Sequence, residues 1–510
     1  MNEPSRTAVL ADDPESPIRF GVVDIGSNSV RFVVFDGPCR APDVFFNEKV
    51  MCGLGADLRR TGRLSAVGSE RALSAVERFA ALAGQLGVED VEVVATAAVR
   101  EAVDGAAFVE DVHARTGWRP RVVTGEEEAR LAALGVLFGI PGARGWVVDM
   151  GGASIEVARV EDGHVFDRRS LPIGPLSLGE LPRKAAERTA YLRGLVDGTL
   201  RRGHGAYDTA YIVGGSARAI ARVDMVRRDY PLPVLHHYVL GRDEFERTRE
   251  LVSGCGAAEL RARTGISAAR IALLPNAVDL MSVLLDTLAV ERCVVSSFGL
   301  REGTLFDRLG DEARRAEPLV IATREIARRQ ARFPAAVRGL LDFVEGLVAD
   351  LDEERRHWVT AACHLYDVNW REHPDVRHEV AFDSAMRANF GGIGHEGRVF
   401  IALALYHRYK KRPGRRHHEL AAALLDQDTR RRARVLGRAM RLWASFGGAA
   451  DPAPRLVLEG DPPRIELVLP EDDPRWTGEV VRARLRSVGD AAGLDVALRV
   501  DARGGGSPST

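Results

Sequence analysis

Two acidic residues of this sequence stand at the same point of the same local pattern. In GVVDIGSNSVRFVVFD (21–36) and GWVVDMGGASIEVARV (145–160), an apolar run leads to Asp24 or Asp149, small residues turn the chain, and a second apolar run returns. Such turns leave backbone N–H groups unpaired, so the segments holding Ser27 and Asn28, and Gly151, Gly152 and Ser154, can receive phosphate oxygens as an anion nest. The neighbouring Asp can hold a hydrated divalent cation that offsets the phosphate charge. One such hairpin carries little, because β-hairpins use these turn residues for steric reasons alone. Two copies with one grammar point to two facing half-domains that close on a phosphorylated ligand.

Two further residues carry chemistry. In VATAAVREA (94–102) a strand passes into a helix, Thr96 is placed to cap it, and Arg100 projects from its first turn or so. Arg100 reads equally as a solvated arginine or as a phosphate clamp, since a planar guanidinium matches phosphate oxygens two at a time. In RVVTGEEEARLAALGVLFG (121–139), Thr124 and Glu127 form a capping box and Glu126 complements the positive helix end, so both acids have local explanations. Glu128 is left over, on the line of Leu131, Ala132 and Gly135. A carboxylate facing packed or cleft surface is costly unless used, which makes Glu128 the candidate general base or water-orienting group.

The elements that must position these groups follow from periodicity. Apolar residues at helical spacing run through 65–87, and 91–94 reads as a buried strand, giving a βαβ-type half-domain. The segment YIVGGSARAIARV (211–223) supplies a third strand–turn–helix with Gly214, Gly215 and Ser216 in the turn. This grammar resembles the actin, sugar-kinase and heat-shock ATPase architecture. From about Ala313 the glycine hairpins cease and helical periodicity dominates; two short strands, a helix near 479–491 and a final strand close the chain.

At 510 residues the chain is too long for one core and predicts three or four domains. Net charge is −1, so no whole-protein field attracts nucleic acid or membrane, and any polyanion site is a local patch. Five scattered cysteines without a Cys-x-x-Cys pair argue against a disulfide framework or zinc ribbon. The first seventeen residues lack a signal-peptide pattern and no uncharged apolar run reaches the length of a membrane span, so a cytoplasmic protein is expected.

Taken together, DIGSNSVRF, ATAAVREA, TGEEEAR, DMGGASIE, VGGSARAIA and SSFGLREGTLFD, in this order, resemble the exopolyphosphatase and guanosine-pentaphosphate phosphohydrolase family. The resemblance implies Mg2+-dependent hydrolysis of the terminal phosphate of inorganic polyphosphate, with the guanosine pentaphosphate nucleotide as the alternative substrate. It places the catalytic glutamate on Glu128, the phosphate-binding arginine on Arg100, and the metal and phosphate acids on Asp149, Glu156 and Asp24. Gly214, Gly215 and Ser216 join Ser27, Asn28, Gly151, Gly152 and Ser154 as phosphate-binding positions. Two departures stand out. Ala153 and Ile155 replace the third glycine and the threonine of the second turn, leaving Ser154 to carry any side-chain contact. The third turn ends in Ala217 and Arg218 instead of Gly-Thr, which counts against adenosine binding there.

The expected architecture is therefore α/β, with two actin-like (ribonuclease H-like) domains at 18–131 and 132–312, an all-α HD-like domain at 313–445 and a small α/β domain at 446–502. Disordered tails are expected at 1–17 and 503–510. HLYDVNW (364–370) resembles the first HD motif with Tyr366 where a ligating His belongs, and His364, His378, His395 and His407 are the possible substitutes. The basic run KKRPGRRHHE with TRRRAR offers Lys410, Lys411, Arg415, Arg416, Arg430, Arg431 and Arg432 as a polyphosphate track. A solvated face is the plainer reading of such a run. A processive cytoplasmic homodimer is the expected form, with a sugar kinase and a non-catalytic phosphate sensor as rivals.

Overall fold

The computed structural model describes residues 18–176, 178, 182, 184–200, 207–447, 454–470 and 474–500. Both expected tails lie outside them. The chain forms two compact units, Met1–Ala316 and Glu317–Thr510.

The first unit holds two α/β halves, where the two actin-like domains were expected. Its first sheet comprises β1 (Phe20–Ile25), β2 (Ser29–Phe35), β3 (Val44–Met51), β4 (Asp90–Ala95) and β5 (Arg121–Val122), in the order β3-β2-β1-β4-β5. The second comprises β6 (Gly145–Met150), β7 (Ile155–Glu161), β8 (His164–Leu171), β9 (Thr209–Val213), β10 (Val239–Gly241) and β11 (Arg292–Val295), in the order β10-β11-β9-β6-β7-β8. Reversing the second order repeats the first: an antiparallel meander of three strands, then parallel partners, with β10 added at the edge. Apart from Asp24 and Asp149 at their ends, β1 and β6 are almost wholly buried, as expected for central strands covered on both faces. The 65–87 helix of the sequence reading is Ala66–Gln85, with the Ser65 hydroxyl accepting from Gly68 N–H at 3.4 Å.

Helix Gly125–Gly139 packs against helix Leu300–Asp307 backbone to backbone. A Cβ on Gly135 would lie 2.0 Å from Gly299 O, and one on Gly303 would lie 1.8 Å from Leu131 O. Phe138 meets Phe298 and Phe306 edge-on at 5.4 and 6.0 Å, and Arg130 bridges Glu127 and Asp307. Two stretches 170 or so residues apart thus become one rigid support.

The second unit consists of seven main helices between Pro318 and Trp443 followed by a three-stranded sheet of β12 (Arg455–Glu459), β13 (Arg464–Leu469) and β14 (Asp495–Val500), order β12-β13-β14, with helix Glu479–Ala492 before β14. The expected boundary at 445/446 does not separate compact units. A Cβ on Gly346 would lie 2.5 Å from Leu456 O, so the helix Ala336–Val348 carries the sheet directly, and Arg431 donates to Ala492 O at 3.2 Å. At the HD-like segment, Asp367 is fully buried and accepts from Arg408 at 2.9 Å and Arg332 at 3.1 Å, while the His364 ring meets Thr323 Oγ1 at 2.9 Å. Two guanidiniums hold the carboxylate that a metal would use. No helix among the described residues is long and apolar enough to cross a membrane.

Gly303→Ala should test the helix contact. Because the clash is with backbone, we expect a loss of about 1–3 kcal/mol or more, read as a lowered unfolding midpoint. Gly142→Ala, where the added carbon would meet nothing within 4 Å, should stay within about 0.5 kcal/mol of the parent.

Candidate functional site

The two hairpins make the same turn. Gly26 N–H donates to Ser29 O and Gly151 N–H to Ser154 O, each at 3.1 Å. In the registers that follow, Asp24 pairs with Arg31 and Asp149 with Glu156. Ala153 is not among the residues with positive φ, so the methyl group costs the turn nothing. Ile155 is fully buried in the core of the second sheet, which explains an apolar side chain there at the expense of the hydroxyl. Helix Gly214–Arg227 starts directly after β9; Gly214 has φ +97° and a Cβ there would lie 2.4 Å from Met150 O, so only glycine fits.

These turns face one cleft of about 460 Å3. Ser27, Asn28, Gly151, Gly152, Ser154, Gly214, Gly215 and Ser216 line it, as do Asp24, Asp149, Glu156 and Glu128. The sequence-derived nest, the acids and the base are therefore brought together.

Glu128 enters from the first turn of helix Gly125–Gly139. Thr124 Oγ1 caps the helix, accepting from Glu127 N–H at 3.1 Å, but the Glu127 carboxylate turns to Arg130 and Arg121, so the expected capping box is made from one side only. Thr96 occupies the N-cap of helix Ala97–Glu101 without a side-chain cap bond. Arg100, on that helix, donates from Nη1 to Val123 O and to Glu128 Oε2, both at 3.0 Å. Arg100 is not among the cleft-lining residues. It grips the candidate base and fixes its carboxylate.

Burial dominates the acids. Desolvation raises Glu128 to about 7, with Asp149 and Asp24 adding to the rise and Arg100 opposing it. Asp149 is raised to about 6, by burial first and then against the pull of Arg218. Asp24 is raised by burial, against Arg301 and Arg31. Glu156, 2% exposed, accepts from Ser170 Oγ at 3.0 Å and is raised by burial and by Glu128 and Asp149. Among the described residues no three His, Cys, Asp or Glu groups converge tightly enough to hold an ion unaided. A cation relying on one or two carboxylates, waters and substrate oxygens, the habit of Mg2+, suits this set, and its charge would relieve the acids.

The opposite charge was largely missed in the sequence. Arg31, Lys49, Arg218, Arg270 and Arg301 also line the cleft. Burial and the nearby Arg301 and Arg218 lower Arg31 to about 10; Lys49 and Arg218 are lowered by burial and by neighbouring arginines. Arg301 comes within 3.9 Å of Asp24, and its Nη1 is buried without a hydrogen-bond partner. Arg31 and Arg301 stood inside two of the motifs, and Arg218 was read only as a departure; nothing local marks Lys49 or Arg270.

The expected track lies in the second unit. Arg415 pairs with Glu419 at 2.7 Å, Arg416 with Asp383 at 3.6 Å, Arg431 with Asp428 at 2.5 Å, and Arg432 with Asp350 and Asp428. Arg430 donates to Asp426 O, Lys411 lies 3.9 Å from Asp490, and Lys410 caps helix His395–Tyr409. Most of this charge is matched locally.

Residues 33–312 match the model of the Ppx/GppA phosphatase family, and 319–499 the model described as exopolyphosphatase, C-terminal. Among similar proteins, "Retrograde regulation protein 2" of Saccharomyces cerevisiae is 25% identical over 433 residues, 76% of this chain and 72% of that one. "Exopolyphosphatase 1" of Mycobacterium tuberculosis is 26% identical over 312 residues, 58% of this chain and 90% of that one. The crystal structure of an exopolyphosphatase from Cytophaga hutchinsonii covers 57% of this chain and 99% of its own, with TM-score 0.51 and 21% identity, a likeness of fold.

The raised Glu128 sets a pH prediction. An acid whose carboxyl is lifted to about 7 is protonated below that pH and cannot accept a proton, so log kcat/KM for a phosphate ester or anhydride substrate should climb with unit slope to about pH 7 and then level. Because Arg100 lowers the Glu128 value, Arg100→Gln should move the break to higher pH. A break that stays in place would separate Arg100 from the base.

Proposed function

The chain belongs to the Ppx/GppA phosphatase family, and from that premise we propose that it hydrolyses the terminal phosphate of inorganic polyphosphate. The observation that carries this reading is one cleft where a buried, Arg100-held glutamate faces two anion-nest hairpins and five cations.

In this reading Glu128 orients the attacking water and takes its proton, while Arg100 keeps the carboxylate aimed and favours its ionised form. Backbone N–H groups of the hairpin turns and the start of helix Gly214–Arg227 hold the terminal phosphoryl oxygens. Arg31, Lys49, Arg218, Arg270 and Arg301 receive the charge of the following phosphates, which the leaving chain keeps after the anhydride bond breaks. Mg2+, held through Asp149 with Glu156 or Asp24, would supply charge neutralisation at the phosphoryl oxygens. Two arginines at the third turn favour an inorganic chain over the guanosine pentaphosphate nucleotide: Arg270 Nη2 lies 2.9 Å from where a Cβ on Gly215 would stand, so a guanidinium covers that turn.

A second reading, a phosphate sensor without turnover, draws on the long match to a yeast protein named as a regulator. Phosphate release from polyphosphate and from the pentaphosphate nucleotide, compared by kcat/KM with and without Mg2+, decides among them. A hydrolase cleaves polyphosphate with the higher kcat/KM; a sensor binds and releases no phosphate.

Glu128→Gln keeps the shape but cannot accept the proton, and should cut kcat on the order of 10²–10⁴-fold with substrate binding retained. A variant keeping more than a tenth of the parent kcat would falsify the assignment of the base. Asp149→Asn should raise the Mg2+ concentration needed for half-maximal rate more than it raises KM for substrate. An unshifted Mg2+ titration moves the metal to another acid.

A further inference from the structure

The second unit contains its own cationic pocket. Helices Gln427–Trp443 and Glu479–Ala492, with Lys411 just beyond helix His395–Tyr409, form a concavity of about 360 Å3 lined by Lys411, Arg438, Arg441, Arg484 and Ser487 together with Val480 and Ala483. No acid lines it. That volume lies in the range of small-ligand sites.

Its arginines differ from most others in this chain. On the surface, arginines such as Arg78, Arg115 and Arg119 hold a carboxylate. Among the described residues, Arg438, Arg441 and Arg484 form no ion pair and spend their donors on neutral oxygens instead. Arg438 Nη2 donates to Lys410 O at 2.9 Å, Arg441 Nη1 to Tyr409 O at 2.6 Å, and Arg484 Nη1 to Ser445 Oγ at 2.6 Å and Arg441 O at 3.2 Å. These bonds fix Arg438 and Arg441 at the carbonyl end of helix His395–Tyr409 and Arg484 at that of helix Gln427–Trp443, with no carboxylate on any of the three. The nearest acid contact is Asp490, 3.9 Å from Lys411, with both side chains 70% exposed. Arg438 is only 4% exposed, and burial together with Arg441 and Arg434 lowers it to about 10, the mark of cations crowded without counter-charge.

We propose that Lys411, Arg438, Arg441 and Arg484 form a binding site for a compact anion bearing several adjacent phosphates. Four cations in so small a space exceed what a carboxylate or a single phosphate needs, and fixed guanidiniums match phosphate oxygens bidentately. No aromatic ring lines the pocket, so it offers a nucleobase nothing to stack on and reads phosphates alone. The site is independent of the hydrolytic reading, since it contains no base. It also relocates the phosphate-holding role in this unit: of the expected track only Lys411 belongs to it.

The test is calorimetric titration of the full chain, carrying Glu128→Gln so that turnover does not interfere, with inorganic tripolyphosphate. Two binding phases are expected, one from each unit. Arg441→Ala/Arg484→Ala should weaken one phase at least tenfold, with thermal unfolding unchanged, and Arg441→Lys/Arg484→Lys should restore most of it. The single, exposed Arg441→Ala serves where the pair lowers the unfolding midpoint, with a smaller loss. Substituting ATP for tripolyphosphate identifies what is read: a phase of similar or lower affinity fits phosphate recognition, whereas a much tighter ATP phase would overturn it in favour of a nucleotide site. An isotherm unchanged by the alanine variants overturns the proposal, whether or not the protein hydrolyses polyphosphate.

Discussion

Four carboxyl groups gathered at one cleft, Glu156 buried and Asp24, Glu128 and Asp149 partly so, are the constraint on which the first unit turns. Burial alone makes ionised Asp24, Asp149, Glu128 and Glu156 costly, and the partners given to them do not cancel that cost: Arg301 stays 3.9 Å from Asp24, and Glu156 has only serine hydroxyls. Arg100 on Glu128 is the one close ion pair among them. The folded chain tolerates the arrangement because the strands and helices around it leave no alternative. β1 and β6 are pinned by their sheets, and the Glu128 helix is locked by Gly135 and Gly303 to the helix that carries Arg301.

The cations that line the cleft make few close pairs with its acids. A chain with 71 basic and 72 acidic side chains could have paired them all, and over much of the surface it does. At the cleft Arg100 on Glu128 is a close pair and Arg301 reaches Asp24 only at 3.9 Å, while burial raises the acids and lowers Arg31, Lys49 and Arg218 against the pull of their opposite charges. Such a site is relieved when a ligand brings both charges at once: an anion for Arg31, Lys49, Arg218 and Arg270, and a cation or a transferred proton for the acids.

What was legible beforehand was local. The hairpins, the strand-end acids and the leftover Glu128 each follow from fewer than twenty consecutive residues, because turn chemistry and helix capping act over that range. The cation wall was not legible, since Arg31, Lys49, Arg218, Arg270 and Arg301 meet only when two sheets and three helix starts are in place. Gly135 and Gly303 likewise look like weak helix residues until two helices far apart in the sequence close into a contact. In the second unit the basic run was visible and so was part of its neutralisation, since Glu419 and Asp428 lie one helical turn from Arg415, Arg431 and Arg432; Asp350 and Asp383, from elsewhere in the chain, were not. Asp367 similarly looked like half of a metal motif until Arg332 and Arg408 arrived from either side.

The departures from the family pattern separate into two physical kinds. At the second hairpin the turn bond from Gly151 to Ser154 is the same as that from Gly26 to Ser29, so Ala153 changes nothing in the backbone, and Ile155 exchanges a hydroxyl for burial in the core. That substitution conserves geometry and lets Ser154, beside Glu156, remain the polar group of the turn. Arg218 changes the chemistry. It stands in the second turn's approach of a helix whose start already carries partial positive charge, and Arg270 lies over Gly215 from the other side, so full positive charge is added where the helix end supplied a fraction. Burial first, and then repulsion from Arg301 and Arg270, lowers the affinity of Arg218 for its proton, and negative charge offsets the repulsion. A linear phosphate chain carries such charge along its whole length; a nucleoside carries none. The same sequence change that removes a family feature therefore adds positive charge to the cleft.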